Sequence, residues 1–139
     1  MKRVLAMAAA SVLAFCLTPS AQAGQTDNLF TIESAATPAE LAAGEKGTVR
    51  LGIKVKSEGH IDPQAPFKAV LTAKGLKLEK EKLGRKDAVH QADGASFEVP
   101  FVAEVKGEDS VDAELSFYIC VKQICEHQKR NVSVPVKVK

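Results

Sequence analysis

Cys120 and Cys125, separated by Val121 to Ile124, are the residues whose type and spacing most readily support chemistry in this chain. Two nearby thiols can close a disulfide, exchange it with a partner's thiols, or bind a soft metal as thiolates. The neighbouring residues bear on each option. His127 lies two residues after Cys125, and Lys122, Lys129 and Arg130 are close in sequence. Positive charge lowers a thiol's pKa and favours the nucleophilic thiolate. Tyr118, two residues before Cys120, could shield the sulfurs or position a partner. A metal site would need further ligands, such as His60 or Glu126 in addition to His127. No cofactor is expected, and no metal in the oxidised protein, where the disulfide consumes both thiolates. The residue types alone leave three readings open: redox exchange, a structural staple and metal binding. No serine–histidine–acid set, phosphate loop or paired-carboxylate pattern stands out elsewhere, and the charged run at 77–86 reads as a solvated strand or turn.

These cysteines must be positioned by strands. In residues 110–121 the odd-numbered positions, Val111 through Val121, are apolar and alternate with Asp112, Glu114, Ser116, Tyr118 and Cys120. In residues 132–138 the even-numbered valines alternate with Ser133, Pro135 and Lys137. Period-two alternation marks strands with one buried face. If the chain turns at Lys122-Gln123, Cys120 falls opposite Cys125 and Tyr118 opposite His127. The cysteine pair then lies on the face away from the core, close enough to bridge. Lys-Gln is a poor two-residue turn, and the same register puts Glu126, Gln128 and Arg130 on the nominal core face. A bulge, or a position past the end of the core, would account for them.

Strands are also expected at 49–55 and 97–105, with further ones at 67–74 and 76–83 and an edge strand at 30–34. Pro135 marks an edge position. Thr37 to Leu41 (TPAEL) reads as one helical turn capped by Thr37. Six to eight short strands with intervening turns make an all-β, immunoglobulin-like antiparallel β-sandwich.

Residues 1–23 read as a secretory signal: Lys2 and Arg3, an apolar run at 4–17, and Ala21-Gln22-Ala23 as cleavage site. The alternative, a lipoprotein anchored through Cys16, has the bulky Phe15 where a small residue should stand. Residues 24–46 then form a leader and edge strand, and 47–139 the sandwich domain. Removing Lys2 and Arg3 takes the 19 Lys+Arg to 17, equal to the 17 Asp+Glu. That balance gives no nucleic-acid footprint, and no second apolar segment is long enough to span a membrane. The expected location is periplasmic or secreted, an oxidising setting. Two cysteines are too few for a disulfide-dense scaffold.

The stretch Phe117-Tyr118-Ile119-Cys120-Val121-Lys122-Gln123-Ile124-Cys125, followed by a polar segment and a valine-rich strand, resembles the end of the N-terminal periplasmic domain of the thiol:disulfide interchange protein DsbD. Gly59-His60-Ile61, with Pro63 and Pro66 following, is similar to a loop after an early strand in those domains. The resemblance implies an immunoglobulin-like fold in a free-standing, divergent single-domain relative. It implies that Cys120 and Cys125 are a redox pair with Tyr118 beside it, and that His60, Ile61 and Asp62 belong to a cap or to an ordinary connection. The implied function is thiol–disulfide exchange, with other periplasmic thiol–disulfide proteins or a membrane electron donor as partners. The alternative is a non-catalytic interaction module with a structural hairpin disulfide.

Overall fold

The computed structural model describes Gly24, residues 26–56 and residues 58–139. The expected signal segment, its cleavage site and Cys16 lie outside the described residues. In chain order the strands are β1 (Phe30–Thr37), β2 (Glu40–Leu41), β3 (Lys46–Val55), β4 (His60–Ile61), β5 (Lys68–Lys74), β6 (Leu76–Leu78), β7 (Lys82–Leu83), β8 (Val89–Gln91), β9 (Gly94–Ala103), β10 (Gly107–Val121) and β11 (Ile124–Val138). A single 3-10 turn, Arg85–Asp87, interrupts them. None of the described residues forms an α-helix, so none forms a helix long and apolar enough to cross a membrane.

Two sheets pack face to face as an immunoglobulin-like β-sandwich. One runs β1-β3-β9-β6, with β8 also pairing β9; the other runs β2-β11-β10-β5-β7, with β4 also pairing β10. The pairings are antiparallel except for β2, which runs parallel to the end of β11. The alternation seen in the sequence places the core. Val49, Leu51, Ile53, Phe97, Val99 and Phe101 face inward from one sheet, and Leu71, Val111, Leu115, Phe117, Ile119 and Val134 from the other. The Phe67 ring stacks on Phe97 at 4.7 Å and meets Phe117 edge-on at 6.4 Å. Phe30 closes the same end, 5.2 Å from Phe117. Aromatic pairs in such geometries add to the burial that drives the sheets together.

Four expectations are corrected. Thr37 to Leu41 is not a helical turn: Thr37 ends β1, a cis Thr37–Pro38 peptide follows, and β2 pairs with Lys137 and Val138. Ladder bonds to Ala39 O and Leu41 O, both 2.9 Å, and burial of Leu41 outcompete a single unsupported turn. Residues 76–83 are two strands in different sheets, β6 on β9 and β7 on β5. The chain crosses between the layers there, which buries both Leu76 and Leu83. Residues 26–28, read as a loose leader, instead form a turn bonded to β11. Strand β9 ends at Ala103, leaving Val105 outside it and exposed. Pro135 does lie on a free flank, because β2 reaches only Lys137 and Val138 of β11.

Candidate functional site: a disulfide at the tip of the longest hairpin

Strands β10 and β11 form a ladder of fifteen pairs, from Gly107 opposite Val138 to Val121 opposite Ile124, without a bulge. The two-residue loop Lys122-Gln123 closes it, and Lys122 adopts a positive φ of 55°. The sequence offers no Gly or Asn there, so the turn is held by the ladder behind it rather than by its own residues. Antiparallel pairs alternate between hydrogen-bonded and non-hydrogen-bonded kinds, the second bringing Cα atoms closer. Next to the closing pair, Cys120 and Cys125 stand directly opposed with Cα atoms 4.0 Å apart, and their sulfurs are bonded at 2.01 Å. Tyr118 lies opposite His127, as parity requires.

The two halves of the disulfide differ in environment. Cys125 is exposed, while Cys120 is 1% exposed and yet outside the contiguous apolar core. Its cover comes from β4. Strand β5 flanks β10 only from Ser110 to Ser116, and beyond it His60 and Ile61 pair with Cys120 and Ile119. Gly59 permits this approach, since a Cβ there would stand 3.0 Å from Val55 and 3.5 Å from Cys120 O. Immediately after β4, Asp62 brings a carboxylate oxygen to within 4.8 Å of both sulfurs. The Gln64 N–H donates to Asp62 Oδ1 at 2.8 Å and holds that carboxylate in place.

On the outer face, His127 Nε2 lies 2.6 Å from Ser116 Oγ, and its ring sits 5.0 Å from the Tyr118 ring. Lys129 pairs with Glu114 at 3.2 Å one step further along. Tyr118, His127 and the disulfide thus share a face. His60 joins them only through the register of β4, and no ring nitrogen of His60 or His127 enters the Asp62–Cys120–Cys125 cluster. His90 is remote in the fold, on β8 beside Phe67. Glu126, considered as a ligand, lies on the opposite face of the hairpin.

That opposite face holds a site that alternation alone did not reveal. Glu126, Gln128 and Arg130 do point to the core side, but the segment before β1 covers them. Glu126 Oε2 accepts bonds from Thr26 N at 3.1 Å and Thr26 Oγ1 at 2.8 Å. Buried Gln128 donates to Thr26 Oγ1 at 2.7 Å and Asp27 Oδ1 at 2.9 Å. Arg130 reaches Asp27 at 3.5 Å and lies over the Phe30 ring at 5.2 Å. The Gln128 bond, the Gly24 N–H and the Arg130 charge hold the Asp27 carboxyl below its ordinary value of 3.8. Three polar residues in a row on a core-facing parity were the available signal.

No protein-family model matches this chain, and neither does any curated protein. Among solved structures, it is similar to WR4, a C. elegans MSP family member, at 8% identity over 78% of this chain and 97% of that one, with a TM-score of 0.41. It is similar to the GAE domain of GGA2p from Saccharomyces cerevisiae at 13% identity over 77% and 90%, with a TM-score of 0.40. A conjugate transposon protein from Bacteroides vulgatus is similar at 19% identity over 86% and 92%, with a TM-score of 0.41. None of these likenesses bears on what the cysteine pair does.

Proposed function

We propose that this chain is an exported thiol–disulfide exchange module that works through Cys120 and Cys125. The observation that carries the reading is the asymmetry of the disulfide: one sulfur-bearing residue is open to solvent and the other covered, both outside the sandwich core. An incoming thiolate can reach Cys125. Its attack forms a mixed disulfide with Cys125 Sγ, breaks the internal bond, and releases Cys120 as thiolate. A second thiolate of the same donor then attacks the donor's own sulfur in the mixed disulfide and releases Cys125. The donor dithiol is oxidised, and the pair gains two electrons and two protons. The donor is a dithiol protein of the periplasm or a membrane electron donor, in keeping with the signal-like residues 1–23 and the resemblance to the DsbD N-terminal domain. Tyr118 and His127, on the same face, would border the docked partner, and His60 would border Cys120.

Equilibration against thiol buffers tests the reading. An exchange pair should titrate above about −300 mV, whereas a structural disulfide lies below that value. In single-cysteine variants, Cys120→Ser should form mixed disulfides with small disulfides faster than Cys125→Ser. A potential well below that limit, with equal or reversed reactivity, would make the bond a hairpin staple in a non-catalytic interaction module.

A further inference from the structure

Among the described residues, Asp62, Cys120 and Cys125 form a group whose ligand atoms, one carboxylate oxygen and two sulfurs, all lie within 4.8 Å of one another. We infer that, once the disulfide is reduced, these three residues form a binding site for zinc(II). The inference shares with the proposed exchange only the requirement that the bond can be opened, and it needs no particular partner.

The geometry fits with small movements. A tetrahedral zinc with sulfur ligands at about 2.3 Å and a carboxylate oxygen at about 2.0 Å sets its ligand atoms roughly 3.5–3.8 Å apart. The three atoms already fall within 4.8 Å, and the Cα atoms of the cysteines, 4.0 Å apart, hold both sulfurs on one side of the hairpin. Opening the bond lets the sulfurs separate toward the tetrahedral spacing. The three groups come from rigid places: a single rung shared by β10 and β11, and the first residue after β4, fixed by its bond from Gln64. Two soft thiolates with one hard carboxylate suit zinc better than cuprous copper, which favours sulfur alone. The fourth position is open for water, and the exposed Cys125 provides the entry path.

The electron and proton balance is simple. A dithiol donor supplies two electrons and two protons to open the disulfide. Zinc(II) then replaces the two thiol protons, which leave to solvent, and no further redox change occurs. Because metal and disulfide compete for the same sulfurs, the site exists only in the reduced state, and bound metal would slow reoxidation.

The test uses the chain reduced by a phosphine, freed of reductant and kept anaerobic. Cobalt(II) serves as a spectroscopic probe, followed by zinc(II) displacement. We expect one equivalent to bind with thiolate-to-cobalt charge-transfer absorption, two protons released per metal, and protection of both thiols from alkylation. The oxidised chain should give none of these signals, and Asp62→Asn in the reduced chain should weaken binding at least about tenfold. An Asp62→Asn titration that superimposes on the reduced wild type overturns the inference. So does one metal shared between two chains. A reduced chain that had simply unfolded would bind through thiols alone and give that same superposition. Failure of the exchange reading is separable: a chain with a staple-like potential can still bind zinc when reduced, and a chain that exchanges disulfides but binds no metal defeats this inference alone.

Discussion

Gln128 occupies a core-facing position opposite Phe117, where alternation would place an apolar residue, and it is buried. It stays there because both of its donor hydrogens are used, on Thr26 and Asp27. A buried hydrogen-bonding group is expensive to leave unpaired, and Thr26, fully buried, depends on the same network. Gln128→Ala should therefore cost about 1–3 kcal/mol in denaturant unfolding. His127→Ala, on the exposed face, should stay within about 0.5 kcal/mol even though it removes the contact with Ser116. Asp27 adds a pH signature. Its folded carboxyl titrates below 3.8, its ordinary value, so the unfolded chain takes up the proton first as the solution is acidified. The stabilisation it provides is complete well above that value, and is lost as the pH falls from it through the folded pKa. Thermal unfolding followed from neutral pH down to about pH 3 should show a steeper loss for wild type than for Asp27→Asn.

Strands β10 and β11 were legible because their alternation runs long enough to fix parity, and parity together with a turn placed at Lys122-Gln123 gave the residues that stand opposite each cysteine. The same rule gave Glu126 and Gln128 the correct face without saying what covers them. Their cover comes from Thr26 and Asp27, about a hundred positions away, which no local pattern connects to β11. Strand β4 was illegible for a different reason. Two residues carry no periodicity, and His60 and Ile61 become a strand only because β10 extends past the end of β5. The division of residues 76–83 between the sheets was hidden because the four charged residues at 79–82 carry no period, so nothing marks where the chain leaves Leu76 and Leu78 in one layer for Leu83 in the other. Close strand approach gives a further expectation. At Gly94, a Cβ would stand 1.9 Å from Ile53 O on the neighbouring strand, and the obstacle is backbone. Gly94→Ala should cost about 1–3 kcal/mol or more, as overpacking does, with the loss visible in chemical unfolding. Truncation of Phe117, which meets both Phe30 and Phe67, should cost about 3–5 kcal/mol by the same measurement.

Across the molecule, the disulfide adds little to a sandwich that already has a continuous core. Its residues are five apart in sequence, and closing so small a loop is worth about 2 kcal/mol of chain entropy, against nearly 5 for a loop of about a hundred residues. The double variant Cys120→Ser with Cys125→Ser should therefore remain folded, with a loss near that lower figure in urea titration. The fifteen-rung hairpin also bears on the order of events during folding. Its rungs nearest the turn are local contacts, as are those of β8 with β9, and loops this short close in well under a microsecond. If this turn closes first, the cysteines meet in a chain whose other strands are still unpaired. An oxidant encountered by the emerging polypeptide could therefore seal the bond before the sheets dock, so that the bond records the register of the nascent hairpin rather than the finished sandwich. Pulsed alkylation during refolding should then find Cys120 and Cys125 paired before tertiary structure appears; thiols that stay free until the sheets have docked would reverse that order.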